Sequence, residues 1–163
     1  VLLKRGLKSG IVVVVCTLIM IACSNKNETS NKIVSTKMKN GDFMLYVKTP
    51  KEVKGGKKFN LEGKIKYFGT EETYLLHSSK DIEFLITDKY GRNIEENIYY
   101  TGTGKDSKIK NGDTLTEKES FSIKKKGSYK ITAMTRFFES NSGKLKDKKY
   151  VEMKIENIKL IVK

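Results

Sequence analysis

The chain has 163 residues, with one proline, no tryptophan, one histidine, two cysteines and a net charge of +14 carried mainly by lysine. That length fits a single domain, one histidine excludes a histidine-cluster metal site, and two cysteines are too few for a disulfide framework. The charge comes without a helix-turn-helix, zinc or aromatic RNA-binding signature, so no nucleic-acid partner is expected.

At the amino end, Lys4, Arg5 and Lys8 form a positive head, and an apolar run extends from Ile11 to Ala22. A basic head, an apolar core of about 7–15 residues and a small residue before the cut make a secretory signal peptide. The run is shorter than the roughly 20 residues that a spanning helix needs. Its close, Met20-Ile21-Ala22-Cys23, resembles the lipobox of bacterial lipoproteins, with Met20 where that family usually has Leu. The resemblance implies a signal peptide over residues 1–22, lipidation of Cys23 through its sulfur, and a mature chain held on the outer face of a bacterial plasma membrane. The alternatives are an ordinary cleaved signal with an incidental cysteine, or an uncleaved anchor. Cys16 falls in the discarded segment, so the mature body has no thiol for a disulfide, a metal or nucleophilic catalysis. The surplus of Lys, Asn and Ile points to an AT-rich, Gram-positive host.

Residues 23–40 are polar and without apolar periodicity, and they read as a lipidated flexible tether. From 41 to 163 the period is two. Phe43, Leu45 and Val47 alternate with polar neighbours, as do Phe59, Leu61, Gly63, Ile65 and Tyr67, and again Tyr129, Ile131, Ala133, Thr135 and Phe137. Strict alternation marks strands with one buried face. Glycine-bearing turns at Lys54-Gly55-Gly56, Asp88-Lys89-Tyr90-Gly91, Asn111-Gly112-Asp113, Lys124-Lys125-Lys126-Gly127 and Ser140-Asn141-Ser142-Gly143 separate them. Strands are predicted near 42–49, 57–68, 72–78, 82–88, 92–100, 114–123, 128–138 and 149–162. In the last, Val151, Met153 and Ile155 have one parity and Ile158, Leu160 and Val162 the other, which predicts a β-bulge near Glu156-Asn157 or two short strands. The spacing predicts an all-β, antiparallel β-sandwich of about 7–8 strands.

The segments His77–Gly91, Asn111-Gly112-Asp113 and Gly127–Ala133 resemble the immunoglobulin-like domain of the intracellular proteinase inhibitor family of Gram-positive bacteria, with Asn111 where that family has Pro. The resemblance implies an Ig-like sandwich, with Tyr129 as a tyrosine corner, and makes a membrane-localised proteinase inhibitor the second functional expectation.

Chemistry is sparse. Asp81 is the nearest carboxylate to His77, but Ser78 and Ser79 lack a nucleophile-elbow glycine pattern. The run Gly102–Ser107 fails the spacing of a phosphate loop and reads as an exposed lysine-rich loop within 101–112. No enzyme activity, cofactor or metal is expected. The candidate recognition surface is Tyr99 and Tyr100, beside loop 101–112, with Arg136, Phe137 and Phe138, beside loop 139–149. The expected function is non-catalytic binding of a protein or cell-envelope component. Charge-driven binding of an anionic envelope polymer is a further alternative.

Overall fold

Alternating inward residues need a second layer to pack against, and here they find it between two sheets. The computed structural model describes residues 32–77, 80–94 and 104–163. Among them are ten strands: β1 (Ile33–Asn40), β2 (Phe43–Pro50), β3 (Glu52–Val53), β4 (Lys58–Tyr67), β5 (Thr73–His77), β6 (Glu83–Thr87), β7 (Lys105–Ile109), β8 (Thr114–Ser122), β9 (Gly127–Ser140) and β10 (Lys149–Val162). One sheet has the order β1-β2-β4-β8; the other has β3-β10-β9-β5-β7, with β6 also on β9. Apart from the short parallel pair β3–β10, the pairing is antiparallel. Strands β2, β4 and β8 facing β5/β6, β9 and β10 reproduce the A-B-E against C-F-G layers of an immunoglobulin-like sandwich.

The single proline sits where the chain changes sheets. Pro50 ends β2, and the next residue serves both layers: the Lys51 amide donates to Lys32 O at 2.8 Å, while its carbonyl accepts from the Ile161 amide at 3.0 Å. The core between the layers includes Leu45, Leu61, Leu75, Ile82, Ile86, Ile131, Met153 and Leu160. Its buried apolar members all lie between Phe43 and Val162, and a buried side chain of this size is worth about 1.5–3 kcal/mol. Gly63 occupies an inward position because Ile82 and Phe84 cross it. A Cβ there would stand 2.6 Å from Ile82 Cδ1.

The strand count exceeds the expected one at three places. Residues 33–40, read as part of the tether, form β1, an edge strand closed on β2 by a two-residue hairpin at Gly41-Asp42, with Asn40 opposite Phe43. Residues 105–109, read as loop, form β7 on β5. Both are exposed edges held by main-chain pairing, with little burial to imprint alternation on their sequences. The third is β3, two residues long. Of the strand expected over 92–100, only an isolated bridge, Thr87 with Asn93, belongs to the described residues; residues 95–100 lie outside them. The bulge is where the phase change put it. The β9–β10 register shifts between Ile155 and Ile158, and Asn157 takes a left-handed φ of 59°, a conformation that Asn tolerates better than most side chains.

Candidate binding surfaces

Strands β5, β9 and β10 lie side by side, so register decides which outward side chains become neighbours. Leu76 pairs with Phe138, and Phe138 with Tyr150. An apolar row thus crosses the outer face of the six-stranded sheet. Phe138 and Tyr150 have ring centroids 5.5 Å apart, and Lys148 Nζ stands 4.3 Å from the Phe138 ring. Tyr150 is 52% exposed. Its hydroxyl donates to Glu152 Oε2 at 2.7 Å, which pushes its own pKa up. Arg136 flanks the row and is held by Glu83 at 3.0 Å.

This arrangement corrects the expected surface. Phe137 is 3% exposed and packs edge-on against Phe43 at 4.9 Å, inside the core. Consecutive strand residues point to opposite faces, so Phe137 and Phe138 could never share a surface, and β9 runs on to Ser140 before the loop begins. Arg136 and Phe138 do face solvent together. Tyr99, Tyr100 and Cys23 lie outside the described residues. Leu76 and Tyr150 were missed because neither adjoins Phe138 in sequence.

A second surface closes one end of the sandwich. The β8–β9 corner follows from Tyr129, whose ring is buried and whose hydroxyl donates to Lys125 O at 2.8 Å, the geometry of a tyrosine corner. That bond leaves Lys124, Lys125 and Lys126 exposed on the bend. Facing them across a groove of about 560 Å³ is the Asp88–Arg92 turn. Asp88 is committed to that turn: it accepts from the Tyr90 and Arg92 amides and from the Arg92 side chain. The Arg92 bond holds its carboxyl below the usual range. Tyr90 stands 69% exposed, with Lys89 Nζ 4.8 Å and Arg92 Cζ 5.1 Å from its ring. The Lys54–Lys58 turn abuts the same corner, since the Gly55 amide donates to Lys163 O and the Gly56 amide to Ile123 O.

The opposite end carries the other sign. A hollow of about 430 Å³ is lined by Asp42, Glu71, Glu139 and Asp147, with Lys149 and Tyr67. Burial raises the Glu139 pKa, which Lys149 partly offsets. Ser140 and Ser142 hold the Asp147 carboxyl low by hydrogen bonding.

His77 is the last residue of β5, at the edge of the break before β6. Its Nδ1 is 3.0 Å from Asp81 Oδ1 and its Nε2 is 3.3 Å from Ser107 Oγ, a Ser–His–Asp order that only the fold assembles. The His–Asp contact lacks hydrogen-bond alignment, His77 is buried, and Lys105 Nζ stands 3.8 Å from the same Asp81 oxygen. Thr135 Oγ1 donates to Asp81 O at 2.7 Å. The cluster ties the break to β7 and β9. Among the described residues, no three His, Cys, Asp or Glu side chains converge as a metal-binding group.

No family model matches the chain, and no curated protein sequence matches it. Among solved structures, the chain is similar to an ASH/PapD-like domain of human CEP192, its PapD-like domain 7. The identity is 10% and the TM-score 0.40, over 80% of this chain and 93% of that one.

Proposed function

We propose that the protein is a lipoprotein anchored through Cys23 to the outer face of a bacterial plasma membrane, whose Ig-like sandwich is a non-catalytic module for binding another envelope protein. The anchor rests on the basic head, the apolar run and the Met20–Cys23 lipobox. The binding role rests on one observation, the solvent-facing row Leu76–Phe138–Tyr150. Exposed aromatics flanked by an arginine, here Phe138 and Tyr150 beside Arg136, are the residue types enriched where proteins meet. A flat row across three strands offers rigid contact area without a cleft for chemistry.

Photo-crosslinking in the native envelope tests it. A crosslinker at position 150 is expected to trap one protein, and one at Thr116, on the other sheet, is expected to trap none. Phe138→Ser should abolish the adduct while changing stability by less than about 1 kcal/mol, as an exposed substitution does. Phe137→Ala, its neighbour in sequence, should cost about 3–5 kcal/mol through the core cavity it leaves. The same adducts from both positions, or adducts unaffected by Phe138→Ser, would refute the row as the recognition surface.

A further inference from the structure

The strongest asymmetry in the molecule is the position of the basic end relative to the place where the chain enters the domain. Strand β1 begins at that end: Lys32 O is bonded to the Lys51 amide, beside the Lys54–Lys58 turn. Eight residues separate Cys23 from Lys32, and covalent geometry limits the nine steps between them to about 30 Å. The opposite end lies one strand length further on, about 33 Å for the ten residues of β4. We infer that the basic end, with Lys54, Lys89, Arg92 and Lys124–Lys126 around exposed Tyr90, is a docking surface for the anionic headgroups of the membrane that holds the anchor. This rests on the Cys23 reading.

Charge and chemistry both fit. Lys124, Lys125 and Lys126 are exposed, and none has a carboxylate partner among the described residues. Among the described residues, the carboxylates of this end, Asp88 and Glu52, are engaged with Arg92 and Lys163. Tyr90 has the apolar body and polar tip that settle at a headgroup layer. The diacylglycerol that the lipobox implies carries two acyl chains and anchors by itself, so the basic patch would set the orientation of the domain rather than its attachment. The attraction acts within about 8 Å at physiological salt, so it needs the basic end to be the near end, and the entry point of β1 makes it so. Docking would hold the acidic hollow away from the bilayer and stand the Phe138–Tyr150 row upright, open to lateral partners.

The test separates the surface from the anchor. Residues 24–163 carry the whole core described above, so the domain without its lipid can be sedimented with vesicles of phosphatidylglycerol and phosphatidylcholine, or of phosphatidylcholine alone. Binding is expected only to the anionic vesicles. Each basic residue near such a surface is worth about fivefold, so K124Q/K125Q/K126Q together should weaken binding about a hundredfold. K39Q/K144Q/K146Q, with the same loss of charge at the other end, should weaken it less than about threefold. Equal weakening by both triples, or retention on soluble polyphosphate with no vesicle binding, would overturn the docking surface. Labelling of the full chain with a radioactive fatty acid reads the anchor independently. Label on the wild-type chain that is absent from Cys23→Ser supports the lipid, whereas no label, or equal label on both, would overturn the anchor reading on which the docking rests, whatever the vesicles show.

Discussion

The two ends of the sandwich use one structural device and dress it with opposite charge. At the acidic end, Tyr67 buries its ring and donates its hydroxyl to Glu71 O, four residues on; at the basic end, Tyr129 does the same to Lys125 O, four residues back. Both bonds are 2.8 Å long and both rings are 4% exposed. Around Tyr67 stand Asp42, Glu71, Glu139 and Asp147; around Tyr129 stand Lys89, Arg92 and Lys124–Lys126. Fold stability is therefore built symmetrically and surface chemistry is not, which separates what holds the domain from what the domain meets.

If the device is equivalent at both ends, Tyr67→Ala and Tyr129→Ala should each cost about 3–5 kcal/mol in urea denaturation, as large aromatic truncations do. Each Tyr→Phe change should cost about 1 kcal/mol for the lost hydrogen bond. A difference of more than about 2 kcal/mol between the two ends would break the symmetry. Salt should distinguish the ends less strongly. Raising ionic strength is expected to stabilise the wild-type domain by screening the lysines of the β8–β9 corner, and K124Q/K125Q/K126Q should remove most of that gain, with an effect smaller than either Tyr→Phe change.

Acid titration should give the smallest effects, and with opposite signs. Glu139 has its pKa raised by burial, so its contribution to stability is complete below the ordinary carboxylate range and is lost as pH rises through the raised value. Glu139→Gln should therefore be the more stable protein at pH 7, with the gap closing in acid. Asp88 has its pKa lowered by Arg92, so its contribution is present above the ordinary range and is lost as pH falls through the depressed value. Asp88→Asn should be the less stable protein at pH 7, again converging in acid. Stability curves of the two variants against pH would check both signs.

Legibility in the sequence followed burial. Strand β10 was readable to the residue, including its bulge, because Val151, Met153 and Ile155 and then Ile158, Leu160 and Val162 must all face inward across the change of phase. Strand β9 was readable for the same reason. Strands β1 and β7 left almost no pattern, since an edge strand can form on backbone hydrogen bonds alone. Gly41-Asp42 was a two-residue hairpin signal that went unread because the residues before it were taken as a tether. The candidate surface was half visible. Phe138 and Arg136 were found by exposure to a loop, Phe137 was wrongly grouped with them against the alternation of its own strand, and Tyr150 waits on a register that no local pattern encodes.

Alternation and turn chemistry by themselves determined an all-β sandwich, its central strands and its core, because burial of one face acts residue by residue along the chain; the corner tyrosine came from the immunoglobulin-like resemblance. Which polar and aromatic groups become neighbours was decided only by the tertiary structure. The Leu76–Phe138–Tyr150 row needs the β5-β9-β10 order, the His77–Asp81–Ser107 contact needs the break between β5 and β6, and the basic end gathers lysines from three separate turns. Strand order and register are set by the total fit of two sheets, and that fit is a property of the whole core rather than of any segment.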